Sequence, residues 1–214
     1  MTMRKVLTTL CALWCVAAIA MAQEQTSRLT MYNAFKPAII HLATGKNITH
    51  PLANISLKDA ALLYLQGTYT MQANMDNVVG VDINGQSYIK IDKKLALCLD
   101  TIGSSRLFCT TIIDVPAYEQ MLKNNRNITS MSLFESDVAA FSTIDLESED
   151  ERQLPVIRIY HYLYNGKMIR VHEREIWNKL PKDKRHMYRS IVSLPDFSWT
   201  SRSSLVQLLR AITD

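Results

Sequence analysis

The chain has 214 residues, with 24 basic and 20 acidic side chains and a formal net charge of +4. That near balance excludes the strongly basic profile of a nucleic-acid binder. Only 6 glycines are present, which argues against low complexity and against glycine-rich phosphate loops.

The first residues, MTMRKVLTTLCALWCVAAIAMAQ, read as a secretory signal peptide. Arg4 and Lys5 form its positive region, Val6 to Ala20 its apolar run, and Ala20-Met21-Ala22 the small-x-small cleavage pattern. Residues 1–22 are therefore assigned to the signal, with cleavage between Ala22 and Gln23. The apolar run is shorter than the roughly 20 residues of a membrane span. Cys11 and Cys15 lack the small preceding residue of a lipoprotein signal. The expected location is outside the cytoplasm: periplasmic, outer-membrane associated or extracellular, with no transmembrane segment once the signal is removed. Loss of Arg4 and Lys5 lowers the net charge to +2.

Residues 23–123 read as an antiparallel β domain. KPAIIHLATG, ALLYLQ, TYTMQA, NVVGVDI, QSYIKID, LALCLD and RLFCTTIIDV are short runs rich in β-branched and aromatic residues, punctuated by turn formers. Asn84-Gly85 is the strongest hairpin signal, because both residues accept positive φ. Connections this short predict a meander, either an open sheet or a small barrel. PAYEQMLKN follows as one or two helical turns.

Residues 124–151 read as an acidic linker: from Leu133 to Glu151 there are seven acids and no base. Residues 152–214 carry twelve bases against five acids. They begin with a hairpin turning at Asn165-Gly166, which places Tyr160, Tyr162 and Tyr164 on one face. That tyrosine strip is either a candidate partner or saccharide surface or, as is commoner for cross-strand aromatics, packed against a helix. Three helical segments follow, near Glu173–Lys179, from Pro181 with Met187, Ile191 and Leu194 inward, and after Thr200 or Ser201 with Leu205, Leu208, Leu209 and Ile212 inward. Trp177, Phe197 and Trp199 are expected to join them to the hairpin. The fold class expected is α+β.

The segment from Asn54 to Asn124, with VVGVDINGQSYIKID and the LALCLD…RLFCTTIIDV hairpin, resembles uncharacterised exported proteins of the Bacteroidota. The ending YHYLYNGKMIRVHEREIWNKLPKDKRHMYRSIVSLPDFSWTSRSSLVQLLRAI is similar to that group's C-terminus. The resemblance implies an envelope location and a two-part architecture. It implies no active-site residue.

Catalytic signatures are sparse. VHEREIW would be a zinc-protease motif only with a second His four residues after His172, and Ile176 stands there. His161 and His172 lie two hairpin pairs apart without a carboxylate between them, so no metal site is expected. GxSxG and GxxxxGK[ST] are missing. Paired carboxylates for glycoside hydrolysis need only spatial proximity, which leaves a carbohydrate hydrolase as the alternative to a non-catalytic binding or structural module. The basic run KDKRHMYR reads as a solvated helix face, with contact to the chain's own acidic linker or to anionic outer-membrane sugars as the alternative. Asn47, Asn54 and Asn127 match the eukaryotic N-glycosylation pattern and are silent in a bacterial host. Asp100-Thr101-Ile102 matches the O-glycosylation acceptor pattern of that phylum, making Thr101 a candidate modification site. No cofactor is expected, and the partner expected is an unknown envelope protein or glycan.

Signal removal leaves two cysteines. A hairpin centred on Gly103-Ser104 sets Cys98 directly opposite Cys109, and export permits oxidation. A structural disulfide is the expectation, ahead of two buried thiols. A redox pair would be a closely spaced CxxC at a helix start.

Overall fold

Among the described residues, alternating apolar and polar residues interrupted by residues that accept positive φ fold into ten antiparallel strands and four helices. The structure is a computed structural model describing residues 29–124 and 154–213; the signal peptide with its Ala22–Gln23 junction and nearly all of the acidic linker lie outside the described residues. The strands are β1 (Lys36–Leu42), β2 (Asn47–Ile55), β3 (Leu62–Gln66), β4 (Tyr69–Gln72), β5 (Val78–Ile83), β6 (Gln86–Ile91), β7 (Lys94–Ile102), β8 (Ser105–Ile113), β9 (Val156–Tyr164) and β10 (Lys167–Arg170). The helices are α1 (Val115–Asn124), α2 (Glu173–Lys179), α3 (Arg185–Val192) and α4 (Arg202–Thr213). At the two Asn-Gly turns both residues adopt positive φ: 53° and 74° at Asn84-Gly85, 49° and 71° at Asn165-Gly166.

All ten strands lie in one open sheet, in the order β10-β9-β8-β7-β6-β5-β1-β2-β3-β4. A simple meander would set β5 beside β4. Instead residues 73–77 return the chain to the far side of β1, where Ile40 opposes Val81. Strand β2 is not legible in the sequence because it contains Pro51, which donates no ladder hydrogen bond. Its first residues pair with β1, and Ala53–Ile55 pair with β3. Pro51 falls near this handover, beside the register shift between Lys36 and Ala38.

The sequence divides the chain at its acidic linker, yet the sheet runs across that division. β9 adds directly to β8 over eight pairs, from Arg106↔Leu163 to Ile113↔Val156. One sheet face is buried in two ways. At the N-terminal end the sheet curls over its own side chains, with Ile40, Ala53, Ile55, Leu62, Val81, Ile83, Tyr88 and Leu95 in one cluster. The loop after β2 completes the curl: Ile113 N–H donates to the Leu57 carbonyl and Leu95 N–H to that of Ala60. At the other end helices cover the face, with Leu205, Leu208, Leu209 and Ile212 of α4 against Leu107, Tyr160, Tyr162 and Tyr164.

In α3 the inward residue is Tyr188, 4% exposed, whereas Met187 is 45% exposed and Leu194 38%. Ile191 packs against the core as expected, but Tyr188 takes the place expected for Met187, because the partner available to α3 is the Trp177 ring of α2, 5.5 Å from that of Tyr188.

Gly80 pairs with Ile89 where β5 and β6 approach so closely that a Cβ would lie 2.7 Å from the Tyr88 carbonyl oxygen. Because that oxygen is backbone, relief requires moving a strand. Gly80→Ala should cost ~2 kcal/mol in urea unfolding with an unchanged m-value; an unmoved midpoint would show that the two strands separate freely.

Candidate functional site

The tyrosine strip is not a surface. Tyr160, Tyr162 and Tyr164 are buried beneath α4, and each hydroxyl donates to a backbone carbonyl: Tyr160 to Thr200 at 3.2 Å, Tyr162 to Leu205 at 2.6 Å and Tyr164 to Ile212 at 3.2 Å. The partner-strip expectation is corrected on this ground: alternation places the rings on one face, but the helix takes that face and uses every hydroxyl. Burial raises the hydroxyl pKa of all three above the usual tyrosine value, so they remain neutral donors.

The cysteine register is also corrected. Ile102, Thr101 and Asp100 oppose Ser105, Arg106 and Leu107 as a two-residue turn requires, and then an extra residue, Leu99, bulges out. Beyond it Cys98 faces Phe108, and Cys109 faces Leu97. Since successive side chains alternate, the two sulfurs lie on opposite faces, and both cysteines are free thiols. The bulge has a cause in the packing: Leu99 packs against the helix-covered core, and its carbonyl accepts a hydrogen bond from the Arg202 guanidinium at the start of α4. Thr101 is exposed at the hairpin end, its N–H donating to Asp100 Oδ1 at 2.9 Å.

Asn54 is no acceptor for a glycan. Its side chain is fully buried and hydrogen-bonded to the backbone of Tyr32, Ala34 and Ile55. Among the described residues no group of three or more metal-ligating side chains is assembled. His161 sits opposite Phe108 and Arg170 with Nδ1 buried and unpartnered, its pKa lowered by burial.

Two polar constellations went unread in the sequence. The first crosses four strands. His41 of β1 places Nδ1 2.9 Å from Asn47 Oδ1 on β2 and Nε2 2.8 Å from Asp82 Oδ2 on β5, while Ser87 Oγ donates to Asp82 Oδ1 at 2.6 Å. The hydroxyl bonds the carboxylate, and both imidazole nitrogens are occupied, so no base faces the serine. The chain is a clasp between strands, not a nucleophile triad.

The second is an open cleft between α2 and α3 of about 880 Å³. Leu180 and Pro181 end α2, and a turn over 182–184 brings α3 back beside it. Tyr188 O–H reaches the Glu173 carbonyl at 3.5 Å. Burial first, then the Glu173 charge, pushes the Tyr188 pKa up to about 12. Trp177, Arg174, Arg189, His172 and His186 line the cleft, and Glu173 is the one acid among its lining residues. The guanidinium carbons of Arg185 and Arg189 each lie 4.7 Å from the Trp177 ring centroid. The sequence signal was present in RHMYR, whose two arginines are one helical turn apart. The aromatic partner eight residues upstream of Arg185 was not recoverable from spacing.

No protein-family model matches the chain, and neither the curated proteins nor the solved structures searched contain a match. The geometry above therefore carries the functional reading. No described helix is long and apolar enough to cross a membrane.

The His41 clasp gives a pH dependence. Hydrogen bonds to Asn47 and then Asp82 raise the His41 pKa above its ordinary value of 6.5. Its contribution is fully present below the unfolded value of 6.5 and is lost as pH rises through the higher folded value. With the pair about one-third exposed, screening holds the effect below ~1 kcal/mol. Wild type should lose its stability advantage over His41→Gln as pH climbs above 6.5, measured by parallel urea titrations; a difference independent of pH would contradict the clasp.

Proposed function

We propose that this is an exported envelope protein that binds a ligand without catalysing its conversion, with the α2–α3 cleft as the receiving surface. The carrying observation is the cleft's composition. It is a concavity of ligand size, lined by the Trp177 and Tyr188 rings and by two arginines, Arg174 and Arg189. A glycosidase arrangement requires two facing carboxyl groups, whereas Glu173 alone supplies one among the lining residues. The buried tyrosine hydroxyls are committed to holding α4, and the His41–Asp82–Ser87 chain to holding strands. Export rests on the signal-like N-terminus and on the resemblance to exported Bacteroidota proteins. The ligand class that fits this location is an envelope glycan or an envelope protein, and the exposure of Thr101 is compatible with O-glycosylation there.

The test uses the full chain expressed with a C-terminal tag in a Gram-negative host. The protein should be recovered from the envelope or medium with a mass that begins at Gln23. Added glycan fragments of that envelope should shift the Trp177 indole resonance without being cleaved. Cytoplasmic retention of the intact chain would contradict export, and product formation would favour the hydrolase.

A further inference from the structure

We propose that Arg189, which lines the cleft and is braced with Arg185 on the Trp177 ring, is an oxyanion receptor, and that the ligand of the cleft carries a phosphate or carboxylate. This rests on the binding role given to the cleft and names the chemistry that it selects.

Three observations converge. Arg185 and Arg189 stand four residues apart on α3, where like charges repel and cost stability on their own. Both guanidiniums are nevertheless gathered over one ring, each 4.7 Å from its centroid. Neither has an ion-pair partner among the described residues. Among the described residues the ion pairs are His41–Asp82 and Lys93–Asp76, so no carboxylate sits at ion-pair distance from Arg174, Arg185 or Arg189. Arg185 Nε is in addition buried with no hydrogen-bond partner. A buried N–H left unpaired is unfavourable, so Arg185 gains nothing by standing there except its stacking on Trp177, the same ring that holds Arg189 at the cleft.

Stacking explains why arginine and tryptophan are combined. A guanidinium lying against an aromatic ring uses its flat face there and keeps its N–H edge free for a bidentate carboxylate or phosphate. The ring also restricts rotamers that a free arginine would have to give up on binding, so the receptor is organised before the ligand arrives. His172 and His186 on the rim add ring N–H donor capacity, and Glu173 is the one opposing charge. The open cleft, of about 880 Å³, is far larger than a lone phosphate ion. It suits an oxyanion borne on a larger body such as a saccharide.

The experiment titrates the mature protein with four probes: N-acetylglucosamine 1-phosphate, glucuronic acid, N-acetylglucosamine and inorganic phosphate. The Trp177 indole resonance reports occupancy. The phosphorylated sugar or the uronate should bind tighter than the neutral sugar by about tenfold or more. Inorganic phosphate should bind, but more weakly than the phosphorylated sugar. Arg189→Gln should abolish the preference for the charged sugar. Arg189→Lys, which keeps the charge and loses the planar fork, should restore it only in part. Arg189 is exposed, so both variants should fold, as an unchanged melting temperature would verify. Equal binding of N-acetylglucosamine would leave the cleft a binding site and overturn the oxyanion receptor. No shift with any of the four would overturn the receptor, while envelope fragments that still shifted the indole would preserve the binding role. Inorganic phosphate binding as tightly as the sugars, with Arg189→Gln without effect, would also overturn it.

Discussion

The ladder between β8 and β9 is the constraint on which the remainder of the structure depends. Its eight pairs join the last strand of the first described segment to the first strand of the second. Closing so long a loop is entropically unfavourable, and the ladder offsets this by completing the sheet and offering α4 a buried face. Leu107 and Cys109 of β8 and Tyr160, Tyr162 and Tyr164 of β9 form that face, and α4 sets Leu205, Leu208, Leu209 and Ile212 on it. Tyr162, fully buried, then ties the face to the helix backbone through its 2.6 Å bond to the Leu205 carbonyl.

The position of α4 propagates in both directions. Toward the sheet, Arg202 bonds the carbonyl of Leu99, and the bulge there is what separates Cys98 from Cys109. Toward the surface, Ile176, Leu180 and Tyr188 share a core cluster with α4, which fixes α2 and α3 beside the hairpin. With Tyr188 inward, Arg185 and Arg189 fall beside Trp177, and the cationic cleft follows. The proposed binding chemistry thus descends from the same ladder as the fold.

Local chemistry made some of this legible in advance. Asn84-Gly85 and Asn165-Gly166 announce their hairpins because few residues tolerate two positive φ values in succession. The short apolar runs announced an antiparallel sheet. What escaped was decided at long range. Strand alternation put Tyr160, Tyr162 and Tyr164 on one face without saying that a helix would cover them. The bulge at Leu99 carries no glycine or proline to mark it, since it answers to Leu99 packing and Arg202 bonding. Pro51 hid β2, and nothing local announced that β5 would return to β1. The cleft and the His41 clasp both need partners from separate elements, so their residues looked ordinary in the sequence. Linker composition suggested a boundary, but it is strand pairing that determines whether two segments share a sheet.

Native-state hydrogen exchange across a urea series tests this account most directly. If the β8–β9 ladder makes the two segments one cooperative unit, amides of β5, β6, β8 and β9 should exchange through a single global opening with a common urea dependence. Exchange of β9, β10 and the C-terminal helices through a separate, lower-energy opening, while β5 and β6 remain protected, would contradict it.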